Sequence, residues 1–442
     1  MNQVYSFRRI YFETVSALHA GSGESDPIQD MPIQVDANGL PAIGATSIAG
    51  VLRHLYEQTE NDDLFGGQTN GSRISFTAAA ILDENGTPVV GIAETISGYL
   101  EQVGRVWRRD HCALNHLGTA KKNSKFDRSV LIAGVRFVTE FCISGKSVDQ
   151  VKKEADALTA IFQRADFRLG GGTRNGFGRI RVLKISGQEY DLNLPDNRSA
   201  FLKRSSSLAA DSGEPELPLT EHALRGATEI SITLEPDSFW LFSDGTGFKD
   251  LDIRPKLESR VRWNDNAPEI VPTILLPATS VKGALAHRTA YHYNRLCGRY
   301  ADNLNPDEMK QIGGSNEAVE TLFGWAKDSR DSDSRKAQGS IGRVIISDIY
   351  CTEDVRSKVF NHVAIDRFTG GALDGALFTE EALFGGKLDL NIIILPAEVD
   401  EKPEIMQAFN LALEDLKNGR LPLGGGVMRG LGTMHEFNRN EV

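Results

Sequence analysis

The sequence has few cysteines and no long apolar run. Only four of the 442 residues are cysteine, and the absence of a CxxC pair argues against both a disulfide framework and a cysteine-ligated zinc site. No apolar run approaches the ~18 residues that a transmembrane helix needs, and the N-terminus lacks the apolar core of a signal peptide. We therefore expect a cytoplasmic protein with reduced thiols and no contact with a membrane.

The sequence also lacks an excess of positive charge. The net charge of −11 argues against a protein that coats nucleic acid with its whole surface. Basic residues do cluster locally, at 105–109 (RVWRR) and 121–125 (KKNSK). Each cluster is as consistent with a solvated surface as with a basic groove.

Four sequence motifs occur twice, in the same order along the chain. LGGGxxxGxG is found at 169–178 and again at 423–432. The other pairs are TSIAG and TSVKG, two copies of LFG, and two Asn-His dipeptides, with offsets from 233 residues (46 to 279) to 258 residues (64 to 322). Because chance rarely gives four ordered repeats, we interpret the chain as a tandem duplication of one fold.

Hydrophobic periodicity in the first copy predicts the order strand, helix, strand, strand, helix, strand. This is the order of a ferredoxin-like or RNA-recognition-motif fold. The sequence therefore predicts an α+β protein with two tandem domains of this kind.

The predicted domains are 1–202 and 226–442. They are joined by a linker over 203–225 that begins in a stretch rich in Ser, Pro, Glu and Asp. Each copy carries a long polar insertion between its second and third strands, at about 83–130 and about 352–380. Long loops inside compact domains are usually functional.

The glycine-rich loops follow a helix and precede a strand. A dinucleotide-binding fingerprint has the opposite context, and the GK[ST] of a phosphate-binding P-loop is absent. A tight turn is the simplest interpretation. The duplication, together with Arg174, Arg179 and Arg429 in or beside the loops, favours contact with phosphate groups.

The repeated Thr-Ser pairs, which end at Ser47 and Ser280, are predicted to cap helices. Free N–H groups and the helix dipole favour an anion at such a start. Lys282 and Arg288 follow in the second copy, and Arg53 in the first. Ordinary helix capping is the alternative.

An acidic segment precedes the first of these helices. Asp26 and Asp30 lie in it, where a metal ion for phosphodiester cleavage could be held beside a phosphate-binding helix start. The alternative is an exposed turn, and 36–39 (DANG) in particular has hairpin chemistry.

Aromatic and basic residues occur together in the insertions. Trp107 stands beside Arg108 and Arg109 in the first insertion, and Phe368 lies in the second. An aromatic side chain in a polar loop is a candidate for base stacking, with local packing as the alternative.

The ordered motifs resemble the RAMP superfamily, and more closely the backbone subunits of type III CRISPR effector complexes. The resemblance rests on HAGSG at 19–23, DMPIQ at 30–34, LPAIGATSIAG at 40–50, LFG at 64–66 and the glycine-rich loop at 170–178. It extends over both copies. A tandem fusion of two such subunits resembles the fused backbone proteins of subtype III-D.

The resemblance implies a function in RNA-guided defence in prokaryotes. Each half would lie along CRISPR RNA, and its insertion would form a thumb-like hairpin that pushes a base out of the guide–target duplex. Asp30 matches the family aspartate that is required for metal-dependent cleavage of target RNA, with Mg²⁺ or another divalent ion as cofactor. The expected chemistry is in-line attack by the neighbouring 2′-hydroxyl, which leaves a cyclic phosphate. The implied partners are CRISPR RNA, single-stranded target RNA and other subunits of the effector complex.

The second copy departs from this pattern, and Asp252 in DIRP is the best counterpart of Asp30 in DMP. The departure favours a second half that binds RNA without cutting it. Two alternatives stay open for the whole chain. It could be a scaffold whose acidic loop is inert, or a ribonuclease that processes guide RNA through His116 or His362.

Overall fold

The structure is a computed structural model of the chain. Its description covers residues 3–24, 30–56, 64–114, 118–220, 224, 226–264, 267–305, 316–325, 339–351, 354–397 and 401–437, without the side chains of 121–123.

We call the part of the chain from the first strand to the eighth the first half. Its helices and strands are, in chain order, β1 (Val4–Thr14), α1 (Ala45–Leu55), β2 (Ile74–Phe76), β3 (Ala80–Ile81), α2 (Gly98–Val103), β4 (Trp107–Leu114), β5 (Ala120–Val130), β6 (Arg136–Gly145), α3 (Val148–Phe162), β7 (Ile180–Asp191), α4 (Pro195–Lys203) and β8 (Glu216–Leu217).

We call the rest of the chain the second half. Its helices and strands are, in chain order, β9 (Thr228–Pro236), β10 (Phe239–Trp240), β11 (Leu257–Asn264), β12 (Ala267–Leu276), α5 (Ala278–Leu296), α6 (Glu317–Phe323), β13 (Gly324–Trp325), β14 (Ser340–Ile341), β15 (Val344–Ile346), β16 (Ile349–Cys351), β17 (Val355–His362), β18 (Phe378–Gly385), β19 (Leu388–Ile394), α7 (Pro403–Lys417) and β20 (Met434–Glu436).

The two halves contain sheets of the same topology. The strand order is β2–β6–β1–β7–β8 in the first half and β15–β19–β9–β20 in the second, with antiparallel neighbours throughout. In both sheets the first strand of the half is central and is flanked by the strands on either side of the last long helix. This is the predicted ferredoxin-like order, and the α+β prediction is confirmed.

The helices pack on these sheets because their apolar residues share one face. In α3 the buried Val151, Ala155 and Leu158 recur at helical spacing. The hydroxyl of Ser147 caps this helix by accepting the N–H of Gln150. In the second half α7 buries a matching stripe against its own sheet.

The predicted Thr-Ser caps are wrong. Helix α1 begins at Ala45 and α5 at Ala278, and the capping positions are held by Gly44 and Pro277 without a side-chain hydrogen bond. The hydroxyl residues therefore lie inside the first turn. The start of α5 has a different cap, because the Asp348 carboxylate accepts the Ala278 N–H at 2.7 Å.

The segment predicted to be a linker contacts the first half. Strand β8 pairs with β7, and Arg9 donates to the Ala210 carbonyl at 2.6 Å. Arg204 forms ion pairs with Glu140 and Glu214, so this segment lies against the back of the first sheet.

Glycine is required at the repeated loops because the backbone there has a left-handed conformation and lies close to the backbone at the start of the same loop. At Gly432 φ is +81°, and a Cβ atom would lie 2.0 Å from the Leu423 carbonyl oxygen. Gly430 has a similar φ of +85°, but a Cβ atom there would meet no atom within 4 Å. The first loop repeats the close approach at Gly178, 2.0 Å from the Leu169 oxygen.

Gly430 and Gly432 give a matched pair of variants. Gly430→Ala should lower the free energy of unfolding by about 1–2 kcal/mol, the cost of a left-handed residue with a Cβ atom. Gly432→Ala should cost more because it adds a clash with backbone. Urea unfolding of both variants tests this, and equal losses would show that the close approach is unimportant.

The hairpin formed by β11 and β12 belongs to the second half but packs against the first. Val261 donates its N–H to the Ala133 carbonyl at 2.8 Å, and Trp263 donates its indole N–H to the Gly134 carbonyl at 2.8 Å. The guanidinium of Arg136 lies 3.7 Å from the centre of the Trp263 ring. Val261 is buried in the hydrophobic core of the first half. The two halves therefore share apolar packing.

Candidate nucleic-acid interface

Each half extends a β-hairpin from the region of its predicted insertion. In the first half β4 pairs with β5, and in the second half β17 pairs with β18. The second hairpin ends in a turn at which Asp366 accepts the N–H groups of Phe368 and Thr369, and the Phe368 side chain is 99% exposed. This aromatic ring is fully available to a stacking partner.

Asp30 lies at the base of the first hairpin and is exposed. It makes a reciprocal contact with Asp127 of β5, because the N–H of each residue donates to the carboxylate of the other at 3.0 Å. The next residue, Met31, accepts the Ser129 N–H through its carbonyl at 3.0 Å. The loop is thereby fixed to the hairpin, and the Asp30 carboxylate is directed to its base.

Asp252 makes the same kind of contact in the second half. Its carboxylate accepts the N–H of Thr379 at 2.7 Å, and its N–H donates to the Thr379 hydroxyl at 3.0 Å. The following residue, Ile253, accepts the N–H of Glu381 at 2.9 Å, as Met31 accepts that of Ser129. Asp252 therefore occupies the position in the second half that Asp30 occupies in the first, although the motif spacing along the chain differs.

The two hairpins align with a register that sequence comparison missed. If Asp127 corresponds to Thr379, then His111, opposite Phe126, corresponds to His362, opposite Phe378. Both rings stack on their cross-strand partner, with centroids 5.0 Å apart in the first half and 4.6 Å in the second. The counterpart of His362 is thus His111 rather than the predicted His116, which lies outside the described residues.

Burial and then the nearby Arg128 and Arg109 lower the pKa of His111 to about 4. The folded state therefore holds a neutral imidazole, while the unfolded chain takes up a proton near pH 6.5. Stability from this group is complete above pH 6.5 and is lost as the pH falls towards 4. We expect His111→Gln to reduce the loss of stability between pH 7.5 and pH 5, measured by urea unfolding. An unchanged loss would contradict a neutral, half-buried His111.

The acidic residues at the hairpin base can offer a metal ion only a few ligands. The described residues contain no group of three or more His, Cys, Asp or Glu side chains placed to hold a metal. Asp26 lies outside the described residues. Asp30 and Asp127 place two carboxylates in this region, and Mg²⁺ is commonly bound by one or two carboxylates together with waters and substrate phosphates.

Three of the predicted phosphate-binding cations lie at the junction of the two halves. Arg174 donates from Nε to the Gly342 carbonyl at 3.0 Å, and Lys282 donates to the Asn175 side chain at 3.2 Å. Burial, and then Arg174, lower the pKa of Lys282 to about 8. The first glycine-rich loop therefore receives the start of α5, and Arg179 lines a cavity beside it.

Arg109 is buried at the same junction. Its guanidinium donates to both carboxylate oxygens of Glu258, at 2.8 and 2.6 Å, and to Asp348 at 2.6 Å. Glu258 also accepts the Tyr350 hydroxyl at 2.6 Å. Burial opposes the charge on Arg109, but the carboxylates of Asp348 and Glu258 outweigh it and raise the pKa of Arg109. This arginine is 2% exposed and joins the two halves.

The other predicted contacts of the first half are distributed around the hairpin and α1. Arg108 is 42% exposed and lies 3.5 Å from Asp127, close to Asp30. Trp107 is half-buried and packs against the core. Ser47 is half-buried in α1, and Arg53 lines an open cavity of about 450 Å³ with residues 65–68 and 70–72.

In the second half, two of the predicted cations have carboxylate partners. Arg288 is paired with Asp415, and Arg429 with Glu380 of the hairpin. Ser280 is exposed in the first turn of α5.

Comparison with known proteins identifies the family. The sequence model of the RAMP superfamily matches residues 11–181 and 271–435, which together make up more than half of the chain. The chain belongs to the RAMP superfamily. The two matched regions fall one in each half, so the duplication is a tandem of RAMP units. No curated protein matches the chain.

Among solved structures, this chain is similar to a chain in the cryo-EM structure of the type III-B Cmr-beta complex bound to cognate target RNA. The two chains are 17% identical, with a TM-score of 0.31. The match covers 41% of this chain and 60% of the other, less than two thirds of its length.

No helix in the described ranges combines the length and apolar character needed to span a membrane.

Proposed function

We propose that this protein is an RNA-binding backbone subunit of a type III CRISPR effector ribonucleoprotein in the prokaryotic cytoplasm. Within it, the first half cleaves guide-complementary target RNA through Asp30 in a metal-dependent manner. The observation that carries the proposal is the repeated arrangement of an aspartate fixed at the base of an extended hairpin. The motifs that resemble type III backbone subunits support it.

The hairpins have the local charge that RNA binding requires. Exposed cations line both of them although the whole chain has a net charge of −11. Lys and Arg side chains near phosphates supply most of the affinity for nucleic acid. The exposed cations are Arg105, Arg108 and Lys125 in the first half, and Arg356, Lys358 and Arg367 in the second.

The chemistry at Asp30 follows from the position of its carboxylate. RNA that crosses the hairpin base would place one phosphodiester beside Asp30, where a displaced base frees the neighbouring 2′-hydroxyl for in-line attack on phosphorus. The 2′-oxygen loses its proton as it bonds to phosphorus, the bond to the 5′-oxygen of the next nucleotide breaks, and that oxygen leaves as a protonated hydroxyl beside a 2′,3′-cyclic phosphate. The hydrogen bonds to Asp127 hold the carboxylate in place before substrate arrives. A divalent ion bound by Asp30 would supply charge neutralisation at the phosphate.

Asp252 is a second candidate centre. Its contacts with the second hairpin repeat those of Asp30, which favours a second cut over the RNA-binding role that the sequence pattern alone favours. Thr379 replaces Asp127 in this arrangement, so a metal ion would have one carboxylate fewer.

Guide processing by a histidine is less well supported. His362 is half-buried and stacked on Phe378, and its counterpart His111 is stacked on Phe126. A stacked ring is better placed to hold the hairpin or a base than to transfer protons.

Purification of the full chain from a host that encodes its CRISPR locus tests the RNA-binding part of the proposal. We expect other effector subunits and guide RNAs with uniform repeat-derived ends to be recovered with it. Replacing Arg356 and Lys358 by Ala should reduce the recovered guide RNA without loss of the protein. Recovery of no RNA, or of bulk cellular RNA, would contradict the proposal.

A further inference from the structure

A cavity of about 120 Å³ lies between the two halves, next to the first glycine-rich loop. The first half contributes Arg168 and Arg179, which face each other across an antiparallel bridge between the segment that follows α3 and the residue that precedes β7. The second half contributes side chains from β9, β19 and the turn after β15. The polar ones are Glu229, Ser231, Ser347 and Asn391.

Arg168 is a buried cation without a carboxylate partner. Its side chain is only 5% exposed, and its Nη1 donates to the carbonyls of Ala165 at 2.6 Å and Phe167 at 3.0 Å. The nearby Asp166 is bound by Arg164 through two hydrogen bonds and makes none with Arg168, and its charge offsets the burial of Arg168 only in part. Within the described part of the chain, Nε and Nη2 of Arg168 make no hydrogen bond.

Arg179 adds a second positive charge to the same cavity. Among the described residues its side chain makes no hydrogen bond or ion pair, and the only carboxylate on the cavity wall is that of the exposed Glu229. Arg174 lies close enough to add further repulsion. Burial, and then Arg179, lower the pKa of Arg168 to about 9. Buried charges of one sign are unfavourable unless a counter-charge is present.

The second half offers hydrogen-bond donors that complete the site. The Ser231 hydroxyl lies 3.2 Å from Asn391 Oδ1 and donates to it, which leaves the Asn391 amide N–H groups without a partner among the described residues. The hydroxyl of Ser347, a residue only 8% exposed, lies on the same wall. Donors from both halves therefore converge on one cavity.

We propose that this cavity binds a phosphate-type oxyanion between Arg168 and Arg179 of the first half and Asn391 and Ser347 of the second. The cavity volume is that of about four water molecules at ~30 Å³ each, which suits a single tetrahedral oxyanion. Guanidinium groups bind such anions by charge-assisted, often paired, hydrogen bonds.

The site is built once in the chain, and it differs from the repeated RNA-binding features. The offset of the glycine-rich loops (169 to 423) places Pro422 and Thr433 where the first half has Arg168 and Arg179. The anion would contact both halves at once, so it would bind the docked arrangement in preference to separated halves and stabilise it. The inference goes beyond the proposed cleavage, because neither hairpin base takes part.

Thermal unfolding of the full chain in inorganic phosphate or sulfate, against chloride at equal ionic strength, tests the proposal. We expect a saturable rise of several degrees in Tm that chloride does not give. Arg179→Gln should abolish the rise, and it should fold because this side chain makes no hydrogen bond within the described protein. Arg181→Gln is the matched control, since Arg181 lies two residues along, is 63% exposed and is paired with Glu13 instead; it should keep the full rise.

Two further arms identify the source of the anion. Ser231→Asp places a carboxylate on the cavity wall and should raise Tm in chloride while removing the response to phosphate. A short single-stranded RNA is tested beside inorganic phosphate. An Arg179-dependent shift with phosphate identifies a free oxyanion, and one with RNA alone identifies a backbone phosphate. No Arg179-dependent shift with either would overturn the proposal.

Discussion

Arg109→Ala should lower the free energy of unfolding by about 3–5 kcal/mol, the loss typical of breaking a buried ion pair from one side. The side chains of Arg109, Glu258 and Asp348 are 3%, 6% and 0% exposed, so water cannot replace the lost guanidinium. Two carboxylates would remain buried without their counter-charge. Because Glu258 and Asp348 belong to the second half, the loss should appear as weakened docking of the halves.

The neighbouring Arg108 provides the matched control. It lies on the same strand, but it is 42% exposed and its pair with Asp127 is 3.5 Å long. An exposed ion pair contributes at most about 1 kcal/mol, so Arg108→Ala should barely change stability. Urea unfolding and limited proteolysis between the halves would measure both variants. Equal, small losses would show that the buried network does not hold the halves together.

Asp30→Asn should reduce cleavage of guide-complementary RNA by the complete complex by at least about 100-fold, the lower range for loss of a single group that supports charge stabilisation in the transition state. The asparagine side-chain oxygen can still accept the Asp127 N–H, as Asp30 does at 3.0 Å. The loop should therefore stay fixed to the hairpin while the negative charge is removed. Guide RNA binding should be unchanged.

Comparison with Asp30→Ala separates the charge from the contact. If the carboxylate performs the chemistry, the Asn and Ala variants should be equally inactive. If the residue only holds the loop, the Asn variant should keep most of the activity. Rates at saturating Mg²⁺, with guide occupancy measured in the same samples, distinguish these outcomes.

The duplication and the sheet topology could be predicted because both depend on local sequence patterns, namely repeated motifs and apolar periodicity. The glycine-rich loops need left-handed backbone at fixed positions, and φ is positive at Gly172, Gly176 and Gly178 and at Gly426, Gly430 and Gly432. The apolar spacing of α3 and β1 likewise predicts which faces are buried.

The junction of the halves could not be predicted because it depends on residues far apart in the chain. Arg109 belongs to a basic cluster that resembles a surface patch, and its partner Glu258 is 149 residues away. The structural correspondence of His111 and His362 could not be predicted for a related reason. It depends on the register of the two hairpins, whereas the sequence shows only an Asn-His dipeptide that recurs at 115–116 and 361–362. The predicted caps were wrong because the capping positions are held by Gly44 and Pro277, and the start of α5 is capped instead by Asp348, which is distant in the sequence.

The decisive experiment maps the positions of the cuts in a labelled complementary RNA for the wild-type, Asp30→Asn and Asp252→Asn complexes in Mg²⁺. We expect Asp30→Asn to remove one cut and to leave every other cut and the bound guide RNA in place. We expect Asp252→Asn to remove a different cut. An unchanged pattern in the Asp30 variant, or equal fading of all cuts in both variants, would contradict the claim that this chain cuts target RNA at the base of its hairpins.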